Sequence, residues 1–253
     1  MESPGTQTPL AGAVQDLASQ VVSALRGGDH PAVFAGTAAA ATSDEDLLLA
    51  AVRVLGPDAL LPGALGLRPP HPDDLALFEK AVIAFPPAPD ASLTSRWTHW
   101  GMTRALRGQS TAAVVPQDDE PDTGWVDTLP WQALTHQLAL LAGLAVPLPA
   151  APSSPAVSSA SASAPTAESA LVRAAGRRTV DIARGFVRAV RRRGWLQAAG
   201  AGRWLSVLDD VPDTLGLDTG LEFVAAMSGD DPRVALHLHA ARHGLARSRG
   251  SAG

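Results

Sequence analysis

Cysteine and tyrosine are absent from this 253-residue chain, and Lys80 is its only lysine. The lack of cysteine excludes disulfide bonds, thiolate metal ligands and cysteine nucleophiles. Long hydrophobic runs are also lacking, because the most apolar stretch, from Leu138 to Val146, is far shorter than the about 20 residues that a membrane-spanning helix needs. The N-terminus has neither the basic region nor the apolar segment of a signal peptide. We therefore expect a cytoplasmic protein without a membrane span.

Sequence motifs of catalysis are missing as well. The chain has no GxSxG nucleophile elbow, no GxGxxG or GxxxxGK[ST] phosphate loop and no HExxH zinc motif. Its carboxylates are scattered, and the sequence does not bring them together. We predict no catalytic residues and no cofactor. An enzyme whose site is assembled from residues distant in sequence stays open as an alternative.

A metal site is not expected either. His237, His239 and His243 form an HxHxxxH string, but only the last two share a face of a helix. No carboxylate lies at ligand spacing within that segment. A polar helix face is the interpretation that this pattern favours.

Helical periodicity, interrupted by proline and glycine, runs through most of the chain. This pattern predicts an all-α protein of about ten helices, arranged as helical bundles or orthogonal hairpins. Residues 148–166 are rich in proline, alanine and serine and predict a disordered linker. The predicted organisation is an acidic helical domain over residues 8–147 and a basic helical domain over residues 167–247.

Charge is distributed unevenly between these two segments. Residues 1–150 contain 16 acidic and 7 basic side chains, whereas residues 151–253 contain 9 acidic and 13 basic ones, and the whole chain has a net charge of −5. The molecule as a whole therefore repels nucleic acid, although its second part locally attracts it.

The most distinctive stretch runs from Ala167 to Gly194 and predicts one long amphipathic helix. On a helical wheel five of its arginines, Arg173, Arg177, Arg184, Arg188 and Arg191, fall within a sector of about 60°, opposite an apolar face. Arginine presents a planar fork that suits carboxylate and phosphate oxygens. The predicted binding residues, which we call the arginine ridge, are Arg173, Arg177, Arg184, Arg188, Arg191 and Arg192. A solvated helix face is the alternative interpretation of the same pattern.

A second candidate surface combines tryptophan with arginine. Trp97, Trp100 and Arg104 share one helical face by their spacing. If that face is exposed, the tryptophans can stack on bases or anchor a partner. If it is buried, they belong to the core, and the low aromatic content favours that interpretation.

The leading functional hypothesis is a non-enzymatic interaction or regulatory protein whose basic amphipathic helix docks an acidic surface. That surface is either a partner protein or the chain's own acidic loop at residues 116–122, held by the linker. The alternative is a nucleic-acid-binding protein whose arginine ridge contacts phosphates.

Overall fold

The computed structural model describes residues 8–27, 34, 45–109, 119–146 and 169–251. Within these ranges the regular elements are all helical and no strand occurs, which confirms the all-α prediction. The α-helices are α1 (Pro9–Leu25), α2 (Glu45–Leu55), α3 (Leu61–Ala64), α4 (Pro72–Ala84), α5 (Leu93–Gln109), α6 (Gly124–Thr128), α7 (Trp131–Leu140), α8 (Ala170–Gly176), α9 (Thr179–Arg191), α10 (Trp195–Leu205), α11 (Leu217–Met227) and α12 (Pro232–Ser251). Short 3₁₀ helices occupy Gly56–Leu60, Ala142–Leu144 and Asp213–Leu215.

Several helices begin at a residue that satisfies a free backbone N–H group. The hydroxyl of Thr8 accepts a hydrogen bond from the N–H of Ala11, and a proline follows it at the first helical position. Before α4, Nδ1 of His71 accepts the N–H of Asp73 in the same way. Such local bonds fix where the chain turns into a helix, and tertiary packing then decides how the helices meet.

Helix α10 lies at the centre of the molecule because small residues let its neighbours approach closely. Its residues from Ala198 to Leu205 are all buried. A Cβ atom added at Gly200 would lie 3.0 Å from the carbonyl oxygen of Ala139, so the backbones of α10 and α7 are nearly in contact. The indole Nε1 of Trp204 donates a hydrogen bond of 2.6 Å to the carbonyl oxygen of Leu138. These contacts join α10 to the C-terminal end of α7.

The largest hydrophobic core takes side chains from both predicted domains. Trp97, Leu134 and Leu138 from the first segment pack with Leu171 and Trp204 from the second. A smaller cluster joins α1 to α12. The described contacts therefore do not confirm a division into two helical domains, which stays a prediction, and the predicted linker at 148–166 lies outside the described residues.

One helical stretch within the described ranges, Glu45–Ala64, is long and apolar enough by composition alone to cross a membrane. Half of its most apolar window is buried inside the fold. Leu48, Leu49 and Leu60 belong to the buried residues of this stretch. A helix that packs into a protein core passes the same test of length and composition.

Candidate functional site

The predicted single helix from Ala167 to Gly194 is wrong, because the structure has two helices there. Helix α8 ends at Gly176 and α9 begins at Thr179. The hydroxyl of Thr179 donates a hydrogen bond of 2.8 Å to the carbonyl oxygen of Gly176, across the break. Arg173 and Arg177 therefore do not belong to the helix that carries the rest of the arginine ridge.

Tertiary hydrogen bonds of Arg178 stabilise this break. Its guanidinium donates to the backbone carbonyl oxygens of Val126 at 2.7 Å and Leu129 at 3.3 Å. The same group forms an ion pair with Asp181, in the first turn of α9. Since arginine offers five N–H donors in a rigid fork, one side chain satisfies several carbonyl groups at the end of α6. A periodic pattern carries no information about such partners, about 50 residues away in sequence.

Helix α9 keeps an exposed face on which apolar residues and arginines alternate. Val180, Arg184, Val187 and Arg191 lie on it at intervals of four, three and four residues. The side chain of Val180 is 53% exposed and that of Val187 is 37% exposed. Arg184 forms an exposed ion pair with Asp181, whereas Arg191 has no acidic partner among the described residues. We call this surface the α9 face.

Arg188 lies next to the α9 face and is oriented by an aromatic ring. Its guanidinium carbon is 5.6 Å from the centroid of the Trp131 ring, which is within the range of a cation–π interaction. Arg192 follows at the end of the helix and is exposed. These cations lie near the C-terminus of α9, where the helix dipole also stabilises positive charge.

The remaining arginines of the ridge have other surroundings. Arg177 forms an exposed ion pair of 2.7 Å with Asp127. Arg173 is exposed on α8. Of the predicted acidic loop at 116–122, the structure describes residues 119–122, and Glu120 accepts hydrogen bonds from the hydroxyl of Ser169 and the N–H of Leu171. In this described part of the loop, Glu120 contacts the beginning of α8.

The tryptophan–arginine surface is largely internal. Trp97 is fully buried in the main core. Trp100 is partly buried, and its ring meets that of Trp97 edge-on, with centroids 5.4 Å apart. The guanidinium of Arg104 lies 5.3 Å from the centroid of the Trp100 ring. Stacking of Trp97 on a base would require the core to open, so the interpretation of this residue as core fits its position.

A buried polar cluster that the sequence did not predict joins the two segments. Arg203 on α10 is fully buried, and its Nη1 lies 2.7 Å from Oδ1 of Asp58, which is also buried. The Nε of Arg203 donates to the carbonyl oxygen of Ala145 at 2.9 Å. Nδ1 of His237 lies 3.2 Å from the same Nη1. Three residues from three distant stretches thus surround one buried cation.

The pKa of His237 reflects this environment. Burial lowers the pKa from 6.5 to about 4, because the charged imidazolium would lose its hydration. Within this net shift, the carboxylate of Asp58 raises the pKa and the cations Arg203 and Arg233 lower it. His237 is therefore neutral near pH 7.

A cavity of about 270 Å³ lies beside this cluster. Asp58 and His237 form part of its wall, together with Arg233 near the beginning of α12. A turn at Gly56, with a φ of +65°, brings the chain from α2 into the 3₁₀ helix that carries Asp58. A Cβ at Gly56 would lie 2.9 Å from the side chain of Thr98, so glycine is required here both for its φ and for its size.

The three histidines of the HxHxxxH string have separate environments. His237 faces the cavity, whereas Nε2 of His239 accepts a hydrogen bond of 3.1 Å from Nε of Arg26. Burial lowers the pKa of His239 and of His243, and neighbouring arginines add to both shifts. No group of three metal-ligating side chains occurs within the part of the chain that the structure describes.

The candidate surfaces within the described residues are therefore the exposed α9 face and the cavity beside Asp58. The first contains Arg184 and Arg191, with Arg188 beside them, and the sequence analysis had selected all three. The second was missed, because its residues come from five separate stretches of the chain. No protein-family model, no curated protein and no solved structure matches this chain.

Proposed function

We propose that this chain is a non-enzymatic interaction protein that binds an acidic amphipathic helix of a partner protein along the α9 face. The observation that carries the proposal is the alternation of Val180, Arg184, Val187 and Arg191 on one exposed stripe. Intervals of four and three residues are those at which two packed helices meet. Apolar side chains on a partner helix would cover the valines, and its carboxylates would pair with the arginines.

The exposed valines favour a protein partner over nucleic acid. A phosphate backbone forms ion pairs with cationic side chains, but it has no apolar surface on which an exposed valine could pack. The net charge of −5 opposes the approach of either acidic partner, and most strongly that of a polyanion. Nucleic-acid binding through Arg188, Arg191 and Arg192 stays the alternative. The loop at 116–122 supplies an acidic sequence for an intramolecular form of the same contact.

The test measures binding of two labelled probes by fluorescence anisotropy across a salt series. One probe is a synthetic helical peptide with leucine and glutamate at the complementary positions, and the other is a short DNA duplex. We expect the peptide to bind and Arg188→Glu/Arg191→Glu to weaken it by about tenfold or more, since repulsion replaces attraction at two sites.

The matched control is Arg96→Glu/Arg242→Glu, which changes the net charge equally at two exposed arginines outside the α9 face. We expect this control to bind the peptide nearly as the parent protein does. Equal losses in both variants would show only an effect of net charge. Tighter binding of the duplex than of the peptide would instead support the nucleic-acid alternative.

A further inference from the structure

The cavity beside Asp58 is lined by both polar and apolar side chains. Thr98, Gln197, Arg233 and His237 contribute polar side chains. Its apolar lining includes Leu55, Leu144, Leu196 and Leu236. Val54 and Leu140 also line it, and they are 49% and 54% exposed, so the cavity opens to solvent past aliphatic side chains. A volume of about 270 Å³ suits a small organic molecule.

The negative charge of Asp58, the acidic residue that lines the cavity, is already neutralised by an ion pair within the protein. Oδ1 of Asp58 is paired with Arg203 at 2.7 Å, and its Oδ2 lies 3.7 Å from Nδ1 of His237. Because both members of the Arg203–Asp58 pair are buried, this carboxylate is held in place and is not available to a cationic ligand. His237 adds no charge near pH 7, because burial lowers its pKa to about 4.

Arg233 contributes a cation to the lining of the cavity, and this cation has no carboxylate partner among the described residues. It is half-buried and forms no ion pair there. The nearest acid in sequence, Asp231, uses its Oδ1 to accept the backbone N–H of Arg233 at 2.9 Å, at the start of α12. Within the same ranges the side chains of Thr98 and Gln197 also make no hydrogen bond. One cation and two uncharged polar groups are thus free to bind an anion.

We propose that this cavity binds a small organic carboxylate with an apolar chain. Its carboxylate pairs with Arg233, with Gln197 as a further donor, and its hydrocarbon part lies along Leu140 and Leu196. Arginine matches the two oxygens of a carboxylate. Burial of the chain against these aliphatic side chains stabilises the complex further with each CH₂ group removed from water. This site is separate from the α9 face and does not depend on the proposed function.

The experiment is isothermal titration calorimetry of the full chain with octanoate, and with octan-1-ol and inorganic phosphate as matched ligands. The alcohol keeps the chain and lacks the charge, and phosphate keeps a charge and lacks the chain. We expect octanoate to bind at least tenfold more tightly than either. Comparable binding of the alcohol, or binding of phosphate without octanoate, would overturn the proposal.

Two substitutions locate the site. Arg233→Gln should weaken octanoate by about tenfold, because a charge-assisted hydrogen bond is lost. Arg242→Gln removes an exposed arginine from the same helix and should leave the affinity unchanged. Unchanged affinity in Arg233→Gln would contradict the site. If that variant does not fold by circular dichroism, Leu140→Gln at the exposed rim serves instead, and it should weaken octanoate several-fold.

Discussion

The guanidinium of Arg203 is fully buried, and Asp58 supplies the opposite charge at 2.7 Å. A buried ion pair gains little net free energy, because both groups lose their hydration. Removing only one partner is different, since the other charge is then left in the core without compensation. The backbone carbonyl of Ala145 accepts one further hydrogen bond from Arg203 and cannot replace the carboxylate.

We predict that Asp58→Asn and Arg203→Met each lower the free energy of unfolding by about 3–5 kcal/mol. The double variant should lose less than the sum of the two, because no unpaired charge then remains buried. Urea denaturation followed by circular dichroism measures all three values. Strictly additive losses would contradict a direct energetic coupling between the two side chains.

From the lowered pKa of His237 we predict that the free energy of unfolding decreases in mild acid. The unfolded chain protonates this histidine near pH 6.5, whereas the folded protein does so only near pH 4. The unfolded state therefore binds more protons between these values, so the contribution is complete above pH 6.5 and is lost as the pH falls towards 4. The expected loss is about 3 kcal/mol.

Urea denaturation at a series of pH values tests this prediction. His237→Gln removes the titrating group while keeping an oxygen that can accept a hydrogen bond, and its stability should vary less over this window. His136→Gln, at an exposed histidine, serves as the control and should follow the parent protein. Identical pH profiles for all three proteins would show that His237 does not contribute.

At the scale of the elements, glycines set the distance between helices. Gly185 on α9 faces Thr135 on α7, and a Cβ there would lie 2.0 Å from the threonine Oγ1. Gly12 in α1 is also helical, but nothing lies within 4 Å of an added Cβ. The two positions therefore separate the cost of crowding from the general effect of replacing glycine in a helix.

We predict that Gly185→Ala destabilises the protein by about 1–3 kcal/mol, because α7 and α9 must move apart. Gly12→Ala should be neutral or stabilising by up to about 1 kcal/mol, since alanine has the higher helix propensity. Thermal unfolding of both variants measures the difference. Equal melting temperatures would contradict the close approach of α7 to α9.

The sequence predicted helices well where the cause is local. An apolar face at helical spacing that ends at glycine is enough to predict the helix that became α1. The break between α8 and α9 depends on hydrogen bonds from Arg178 to carbonyl groups about 50 residues away, which periodicity does not encode. For the sites, too, only the local pattern could be read from the sequence. The sequence analysis named the arginines of α9 as candidates, whereas Asp58, Arg203 and His237 come together only in the folded chain.

At the scale of the whole molecule, the main core extends over both predicted segments. Leu134 and Leu138 of α7 are buried in the same core as Trp204 of α10. A fragment that contains only residues 167–253 would expose the faces of α10 and α12 that the first segment covers. A separate domain, in contrast, has a core of its own.

We therefore predict that residues 167–253 alone do not unfold cooperatively, and that mixing them with residues 1–147 restores helical content. Circular dichroism during thermal unfolding compares the fragment, the mixture and the full chain. A fragment that unfolds cooperatively near the melting temperature of the full chain would support two independent domains.

The Arg203–Asp58 pair also has a kinetic consequence. Its members are 145 residues apart in sequence, so a large loop must close before the two charges can meet. Contacts of such separation slow folding, and this pair is expected to form after the transition state. Its removal would then mainly accelerate unfolding. The pair would thus lengthen the lifetime of the native state by slowing unfolding, with little effect on the rate of folding.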